Sequence, residues 1–127
     1  MKTSRNLQTA LLAAAVVATS ACGSASNSAA TLPADVGLEV DAGPGIRFDA
    51  TGYTVNAGKV KVAYVNRDSQ RHTLVIIDAN KVQLPGELEV ATSGAFELKE
   101  YDLQPGTYTL FCNVPGHQNM KATLTVK

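Results

Sequence analysis

Short β-type segments separated by glycine- and proline-containing turns fill residues 35–127 and constrain the fold more than any other feature. Residues 43–45 (Gly-Pro-Gly) and 104–106 (Gln-Pro-Gly) are typical turn signals. We find no internal repeat and no convincing helical stretch. Many short strands at this spacing predict an all-β sandwich or barrel. The nine predicted strands are residues 36–40, 46–49, 53–55, 59–66, 72–78, 88–91, 95–99, 107–112 and 121–126.

Two of these segments differ in the burial that they predict. Residues 59–65, Lys-Val-Lys-Val-Ala-Tyr-Val, alternate polar and apolar side chains. This pattern predicts a strand with one solvated and one buried face. Residues 74–77, Leu-Val-Ile-Ile, are apolar throughout, which predicts a strand covered on both sides.

The stretch from Cys112 to Met120, Cys-Asn-Val-Pro-Gly-His-Gln-Asn-Met, carries the most specific chemistry in the chain. It places a thiol, the imidazole of His117 and a thioether within nine residues. These are soft or borderline metal ligands, and together they suit copper better than other biological metals. A hard cation would require carboxylates, which the stretch lacks. A structural zinc site usually uses more Cys and His than one of each.

The predicted strands on either side explain how this stretch could form a site. Residues 107–112 and 121–126 both have strand character, and a Pro-Gly turn lies between Cys112 and His117. The turn would bring the two side chains towards one centre. The stretch is therefore predicted to join the last two strands at one end of a sheet structure.

The chain contains only two histidines, so His72 is the remaining histidine that could serve as a further ligand. His72 opens the apolar segment of residues 72–77. Two His, one Cys and a weak axial Met form the ligand set of a blue-copper electron-transfer site. Each residue alone has a simpler explanation: Cys112 as a core thiol, Met120 as a core side chain and His117 as a surface histidine. Their occurrence together favours the copper site.

With these motifs in place, residues 52–127 resemble a cupredoxin, a type 1 blue-copper protein of the plastocyanin/azurin superfamily. The motifs are Asn-Arg-Asp-Ser-Gln-Arg-His ending at His72, Leu-Gln-Pro-Gly-Thr-Tyr at 103–108, and Cys112-x4-His117-x2-Met120. The resemblance implies a Greek-key β-sandwich of about 7–9 short strands. It also implies one copper per chain, with His72, Cys112 and His117 as equatorial ligands and Met120 as the axial ligand.

The same resemblance implies a one-electron carrier rather than an enzyme, with His117 as the exposed electron port for transient docking of redox partners. No acid–base pair or nucleophile is apparent in the sequence. Backbone N–H groups at Thr73 and Asn113 are candidates to donate hydrogen bonds to the cysteine sulfur. Thr73 departs from the family, which often has Asn after the first His; that Asn usually ties the two ligand loops together.

Other functions stay open at this level. The main alternative is an extracytoplasmic copper-binding protein for scavenging, delivery or resistance, although Met- or His-rich tracts typical of such proteins are absent from the sequence. A secreted adhesion module without metal is another. An immunoglobulin-like sandwich is disfavoured, because Tyr108 lies four residues before Cys112 and Cys112 lacks a disulfide partner on another strand.

The N-terminus predicts export. Residues 1–21 have a basic start and an apolar run of about a dozen residues, which is shorter than the ~20 needed to span a bilayer and fits a signal peptide. Small residues precede Cys22 and resemble a bacterial lipoprotein signal. We therefore expect lipidation of Cys22, a flexible tether over residues 22–34 and a copper-binding domain over residues 35–127.

Charge and cysteine content exclude several classes of function. The chain has 11 basic and 11 acidic residues without a basic run, so nucleic-acid binding is not expected. Its two cysteines are Cys22 and Cys112, and each has a separate predicted role, so we expect no disulfide. We expect a monomer, exported and held by lipid at the outer face of the cytoplasmic membrane, in the periplasm or at the cell surface.

Overall fold

The computed structural model describes residues 31–127 of the chain. These residues form eight β-strands and no helix. Consequently, this part of the chain contains no helix long and apolar enough to cross a membrane. The strands are β1 (Leu38–Ala42), β2 (Gly52–Val55), β3 (Gly58–Asn66), β4 (His72–Ile77), β5 (Leu88–Val90), β6 (Phe96–Leu103), β7 (Gly106–Phe111) and β8 (Lys121–Val126).

The strands form two mixed sheets. One sheet has the order β1-β3-β6, and the other has the order β2-β8-β7-β4-β5. The pairs β1/β3 and β2/β8 are parallel, and the remaining pairs are antiparallel. After β5 the chain crosses to the smaller sheet as β6 and returns as β7. The predicted Greek-key β-sandwich is therefore confirmed.

Apolar side chains from both sheets fill the space between them. Val40, Val62 and Leu103 come from the smaller sheet, and Leu110 and Leu124 come from the larger one, all fully buried. Burial of one such side chain contributes about 1.5–3 kcal/mol to folding. This core fixes the relative position of strands that are distant in sequence.

Eight of the nine predicted strands are present, and the prediction for residues 46–49 is wrong. In that segment Phe48 forms only an isolated bridge with Ala42. The backbone instead turns tightly: the N–H of Gly43 donates to Arg47 O at 2.8 Å, and the N–H of Arg47 donates to Gly45 O at 2.9 Å. Positive φ angles at both glycines, 88° and 84°, permit this turn.

The burial predictions for β3 and β4 have different outcomes. Residues 72–76 of β4 are all buried, as expected for a strand covered on both sides. Alternation along β3 ends half-way, because Ala63 and Val65 are fully buried although they belong to the predicted solvated face. Their cross-strand partners on β6 are Leu98 and Phe96. These larger side chains stand beside the smaller ones on the same face, an arrangement that the sequence of β3 alone could not reveal.

The sheet register brings the predicted site residues to one end of the sandwich. Val75 of β4 pairs with Phe111 at the end of β7. The start of β4 at His72 therefore lies beside the loop of residues 112–120, which joins β7 to β8 as predicted.

Candidate metal centre

His72, Cys112 and His117 form a compact buried cluster. One potential ligand atom from each residue lies within 4.8 Å of the other two. Cys112 Sγ is 3.7 Å from His117 Nδ1, and the two imidazole rings have centroids 4.9 Å apart. His72 and Cys112 are fully buried, and His117 retains 6% exposure. The structure thus brings the two imidazoles and the thiol together in one buried site.

The loop that carries three of the four predicted ligands is closed by backbone hydrogen bonds. His117 N–H donates to Val114 O at 2.9 Å, across the Pro-Gly turn, where Gly116 has a φ of 91°. Met120 N–H donates to His117 O at 2.8 Å, and Cys112 N–H donates to Met120 O at 3.1 Å. The fully buried Met120 side chain belongs to the same apolar cluster as Cys112.

The His72 ring has one partnered and one unpartnered nitrogen. Its Nε2 lies 3.3 Å from Asp68 Oδ2. Its Nδ1 is buried and has no hydrogen-bond partner within residues 31–127. Burial, reinforced by the neighbouring His117, lowers the pKa of His72, and Asp68 only partly opposes this shift. The ring is therefore held neutral near pH 7, which is the form that binds a metal.

Asp68 is itself held by two backbone donors. Its Oδ1 accepts a hydrogen bond from Ser69 N–H at 2.6 Å, and its Oδ2 accepts one from Gly45 N–H at 3.1 Å. The Ser69 hydrogen bond is the largest influence that lowers the pKa of Asp68, so the side chain is a carboxylate at neutral pH. Asp68 therefore links His72 to the turn between β1 and β2.

Asn66 organises the loop between β3 and β4. Its side-chain nitrogen donates to Gln70 O at 2.7 Å and to Val90 O at 3.1 Å. Its side-chain oxygen accepts from Asp68 N–H at 2.7 Å. Asn66 is fully buried, so these hydrogen bonds fix the backbone that presents Asp68 and His72.

Thr73 connects the His72 strand to the cysteine loop. Its N–H donates to Cys112 Sγ at 3.5 Å, which agrees with the predicted hydrogen bond to sulfur. The same role predicted for Asn113 is wrong, because Asn113 N–H donates to Thr73 Oγ1 at 3.0 Å instead. The Thr73 hydroxyl in turn donates to Asn113 Oδ1 at 2.7 Å. Here a threonine after the first histidine and an asparagine after the cysteine form the tie between the two segments.

The cluster has the chemistry of a site for a soft or borderline metal ion. The Cys112 thiol lies with two imidazoles, and one of these, His72, has a buried nitrogen without a partner in the described part of the chain. The Met120 thioether belongs to the loop of Cys112 and His117. An unpaired buried nitrogen is unfavourable, and coordination would satisfy it. Asp68 on the far side of the His72 ring matches the usual carboxylate partner of a metal-binding histidine. The donor set therefore fits copper.

Comparison with known proteins agrees with the fold and the motifs. A family model described as a cupredoxin-like domain matches residues 10–126. The chain belongs to the cupredoxin-like family. This match confirms the resemblance seen in the sequence. A search of curated protein sequences finds no match to this chain.

Solved structures of other proteins share the cupredoxin-like fold. Reduced auracyanin from the photosynthetic bacterium Roseiflexus castenholzii is 23% identical with a TM-score of 0.61, covering 71% of this chain and 95% of its own. Auracyanin B is 26% identical with a TM-score of 0.59, covering 76% and 91%. A reduced amicyanin variant is 20% identical with a TM-score of 0.57, covering 75% and 86%.

Sequence reasoning missed the roles of Asp68, Asn66 and Glu87. Glu87 Oε2 accepts from Asn113 Nδ2 at 2.7 Å and so extends the tie from Thr73. An Asn at the end of a strand, two residues before an Asp, is a signal for a local side-chain turn that could have indicated Asn66. The predicted signal peptide and the lipidated Cys22 lie outside the described residues.

Proposed function

We propose that this protein binds one copper ion and works as a one-electron carrier rather than as an enzyme. His72 Nδ1, Cys112 Sγ and His117 Nδ1 would hold the metal, with the Met120 sulfur as a weaker fourth ligand. The observation that carries this proposal is the buried cluster of one thiol and two imidazoles, whose ligand atoms all lie within 4.8 Å of one another and of which one nitrogen has no partner among residues 31–127. A bound copper ion would supply the redox couple, because it can change between the cuprous and cupric states.

Support for electron transfer comes from the way the chain holds these side chains. His72 is fixed by a strand and by Asp68, and Cys112 is fixed by the N–H of Thr73. Side chains held in one arrangement reduce the rearrangement needed when the metal changes its oxidation state. Two of the structural relatives, an auracyanin and an amicyanin variant, were solved in reduced states, in line with a redox role for this fold.

The surface near His117 is suited to brief contact with a redox partner. His117 is the most accessible of the three clustered ligands, and it is flanked by Val114, Pro115 and Gln118. Of these, Val114 packs against the core while Pro115 and Gln118 are exposed. A small surface of this type fits the weak, short-lived encounters of electron carriers. We propose that partners dock here and that the carrier acts as a monomer.

The proposed location is outside the cytoplasm. A signal peptide over residues 1–21 would direct export, and a lipid on Cys22 would anchor the chain at the membrane. A tether of about a dozen residues has a typical reach of roughly 20 Å, so the domain would stay near the membrane surface. Lipid labelling of the wild-type chain and of a Cys22→Ala variant in bacterial cells would test this location.

A visible absorption spectrum recorded after addition of one equivalent of Cu(II) tests the proposed metal site. We expect intense colour from charge transfer between the Cys112 thiolate and Cu(II). The colour should disappear on reduction and return on oxidation over repeated cycles. Reversible colour is expected because the same buried side chains hold the metal in both states.

The alternative, copper scavenging or delivery, gives a different result in the same experiment. A protein of that type needs affinity for cuprous copper but not a fixed cupric geometry. A pale product with Cu(II), together with tight binding of Cu(I), would favour copper handling over electron transfer. No binding of either ion would contradict both functions.

A further inference from the structure

The hydrogen-bond partner of the His72 ring is the carboxylate of Asp68. Asp68 Oδ2 faces His72 Nε2 at 3.3 Å, and the Asp68 side chain is only 13% exposed. Because the carboxylate can only accept a hydrogen bond, it requires the proton of a neutral His72 ring to sit on Nε2. This leaves Nδ1 free of a proton on the side of the ring that has no partner within residues 31–127.

The position of Asp68 is set by contacts within its own loop and with the turn between β1 and β2. Ser69 N–H and Gly45 N–H donate to its two oxygens, and Asn66 Oδ1 accepts from its backbone N–H. The turn backbone also approaches closely, since a Cβ at Gly43 would lie only 2.7 Å from Asp68 Cβ. The Asp68 carboxylate is therefore held in a fixed orientation, unlike the carboxylate of an exposed surface residue.

Among residues 31–127, no lysine or arginine forms an ion pair with Asp68 that would cancel its charge. The ion pairs of the described residues connect Lys59, Lys61, Arg67 and Arg71 to other carboxylates. The contact of Asp68 is with the neutral His72 ring. A negative charge beside one ligand stabilises the more positive state of a bound metal.

We propose that Asp68 is a positioning residue that holds His72 with Nδ1 towards the metal and whose negative charge favours the oxidised metal. The proposal rests on the proposed copper function and deepens it. It has two parts that can be measured separately. One is the tautomer of His72 in the metal-free protein, and the other is the reduction potential of the copper-loaded protein.

The tautomer is measured first, by long-range ¹H–¹⁵N correlation spectra of the metal-free wild-type protein. We expect His72 to carry its proton on Nε2. Two variants follow: Asp68→Ala removes the acceptor, and Asp68→Asn retains the side-chain size without the charge. In both variants we expect a measurable population of the Nδ1-protonated tautomer. A wild-type ring protonated mainly on Nδ1 would overturn the proposal.

The reduction potential is then measured for the copper-loaded wild type, both Asp68 variants and an Asp102→Asn control. Asp102 is an exposed acidic residue near the end of β6, where its side chain accepts a hydrogen bond from Gln104 Nε2 at 3.4 Å. We expect the Asp68 variants to favour the reduced metal by about tenfold, equivalent to a rise of about 59 mV for a one-electron couple. The control should change the ratio by less than about twofold, because solvent screens its charge.

The two proposals fail in distinguishable ways. If Asp68→Ala does not fold, Asp68→Asn still removes the charge. Potentials of the Asp68 variants no different from the control would overturn the role of its charge. If the wild-type protein does not form a coloured cupric site, the copper function fails, while the tautomer in the metal-free protein still decides whether Asp68 orients His72.

Discussion

The two ends of the sandwich satisfy their buried polar groups in different ways. At the end opposite the cluster, the Tyr108 hydroxyl donates to Gln104 O at 3.0 Å and accepts from Gln104 N–H at 3.2 Å. This small loop closes on itself. At the cluster end, His72 Nδ1 is buried without a partner in the described residues. Among the described residues, one end is complete as a protein structure, whereas the other keeps a buried ring nitrogen available to a bound metal.

This difference shows that the fold is locally destabilised at the cluster end, where the unpartnered His72 Nδ1 lies. An unsatisfied buried polar group is unfavourable by about 1–3 kcal/mol. The hydrogen bonds around Asn66, Asp68 and Thr73 stabilise the same end and hold the unpaired nitrogen in place. If the comparison is right, changes at the cluster end alter both metal binding and stability, whereas changes at the opposite end alter stability alone.

The largest effect is expected from Cys112→Ser. The variant should lose all of the charge-transfer colour with Cu(II), because a hydroxyl does not replace the thiolate as a ligand. Its metal-free form should remain folded by circular dichroism, since the core strands are unchanged. Colour of wild-type intensity in this variant would show that the cupric site lies elsewhere.

Asn66→Ala should produce the largest loss of stability among the polar changes. It removes three side-chain hydrogen bonds at a fully buried position and leaves their partners unpaired. We expect a decrease of roughly 2–4 kcal/mol in the free energy of unfolding, measured by urea denaturation of the metal-free protein. The control is Asn80→Ala, an exposed turn position where the change should stay within about 0.5 kcal/mol.

Thr73→Val alters the tie between the two ligand segments without altering a predicted ligand. The hydroxyl is lost, which leaves Asn113 N–H and Oδ1 without their partner. We expect a loss of about 1–3 kcal/mol in the free energy of unfolding. Colour with Cu(II) should persist, because the Thr73 N–H still donates to sulfur, and its absorption maximum should shift, because the hydroxyl that lies 3.6 Å from Cys112 Sγ is lost. Thr107→Val, at an exposed position of β7, is the matched control.

The smallest effect is expected at the opposite end, from Tyr108→Phe. The ring remains buried, and the two hydrogen bonds to the Gln104 backbone are lost. We expect a loss of about 1 kcal/mol in the free energy of unfolding. The copper spectrum and the reduction potential should be unchanged. A shift in either property would show that the two ends of the sandwich are coupled.

The clustered residues could be identified from the sequence, because their side chains are typical metal ligands and because the chain contains only two histidines. Cys112, His117 and Met120 share one short loop, and His72 is the only other histidine of the chain. The structure brings the thiol and both imidazoles together. Their role as ligands stays a prediction until metal binding is measured.

The supporting contacts could not be predicted from the sequence, because they join segments that are distant along the chain. Asp68 is fixed by Gly45, and Asn113 is bonded to Glu87. Ala63 and Val65 are likewise flanked on both sides by residues of β1 and β6, which are distant in sequence. Hydrophobic alternation describes a single strand, so it contains no information about what packs beside that strand.

The most direct test of the central claim compares backbone amide spectra of the metal-free and Cu(I)-loaded wild-type protein. We claim that one end of the sandwich is already arranged to receive the metal. Chemical-shift changes should therefore be confined to residues 43–45, 66–73 and 112–120, with Gln104 and Tyr108 unaffected. Changes spread across both sheets would mean that the metal reorganises the fold, and the absence of any change would mean that this cluster does not bind it.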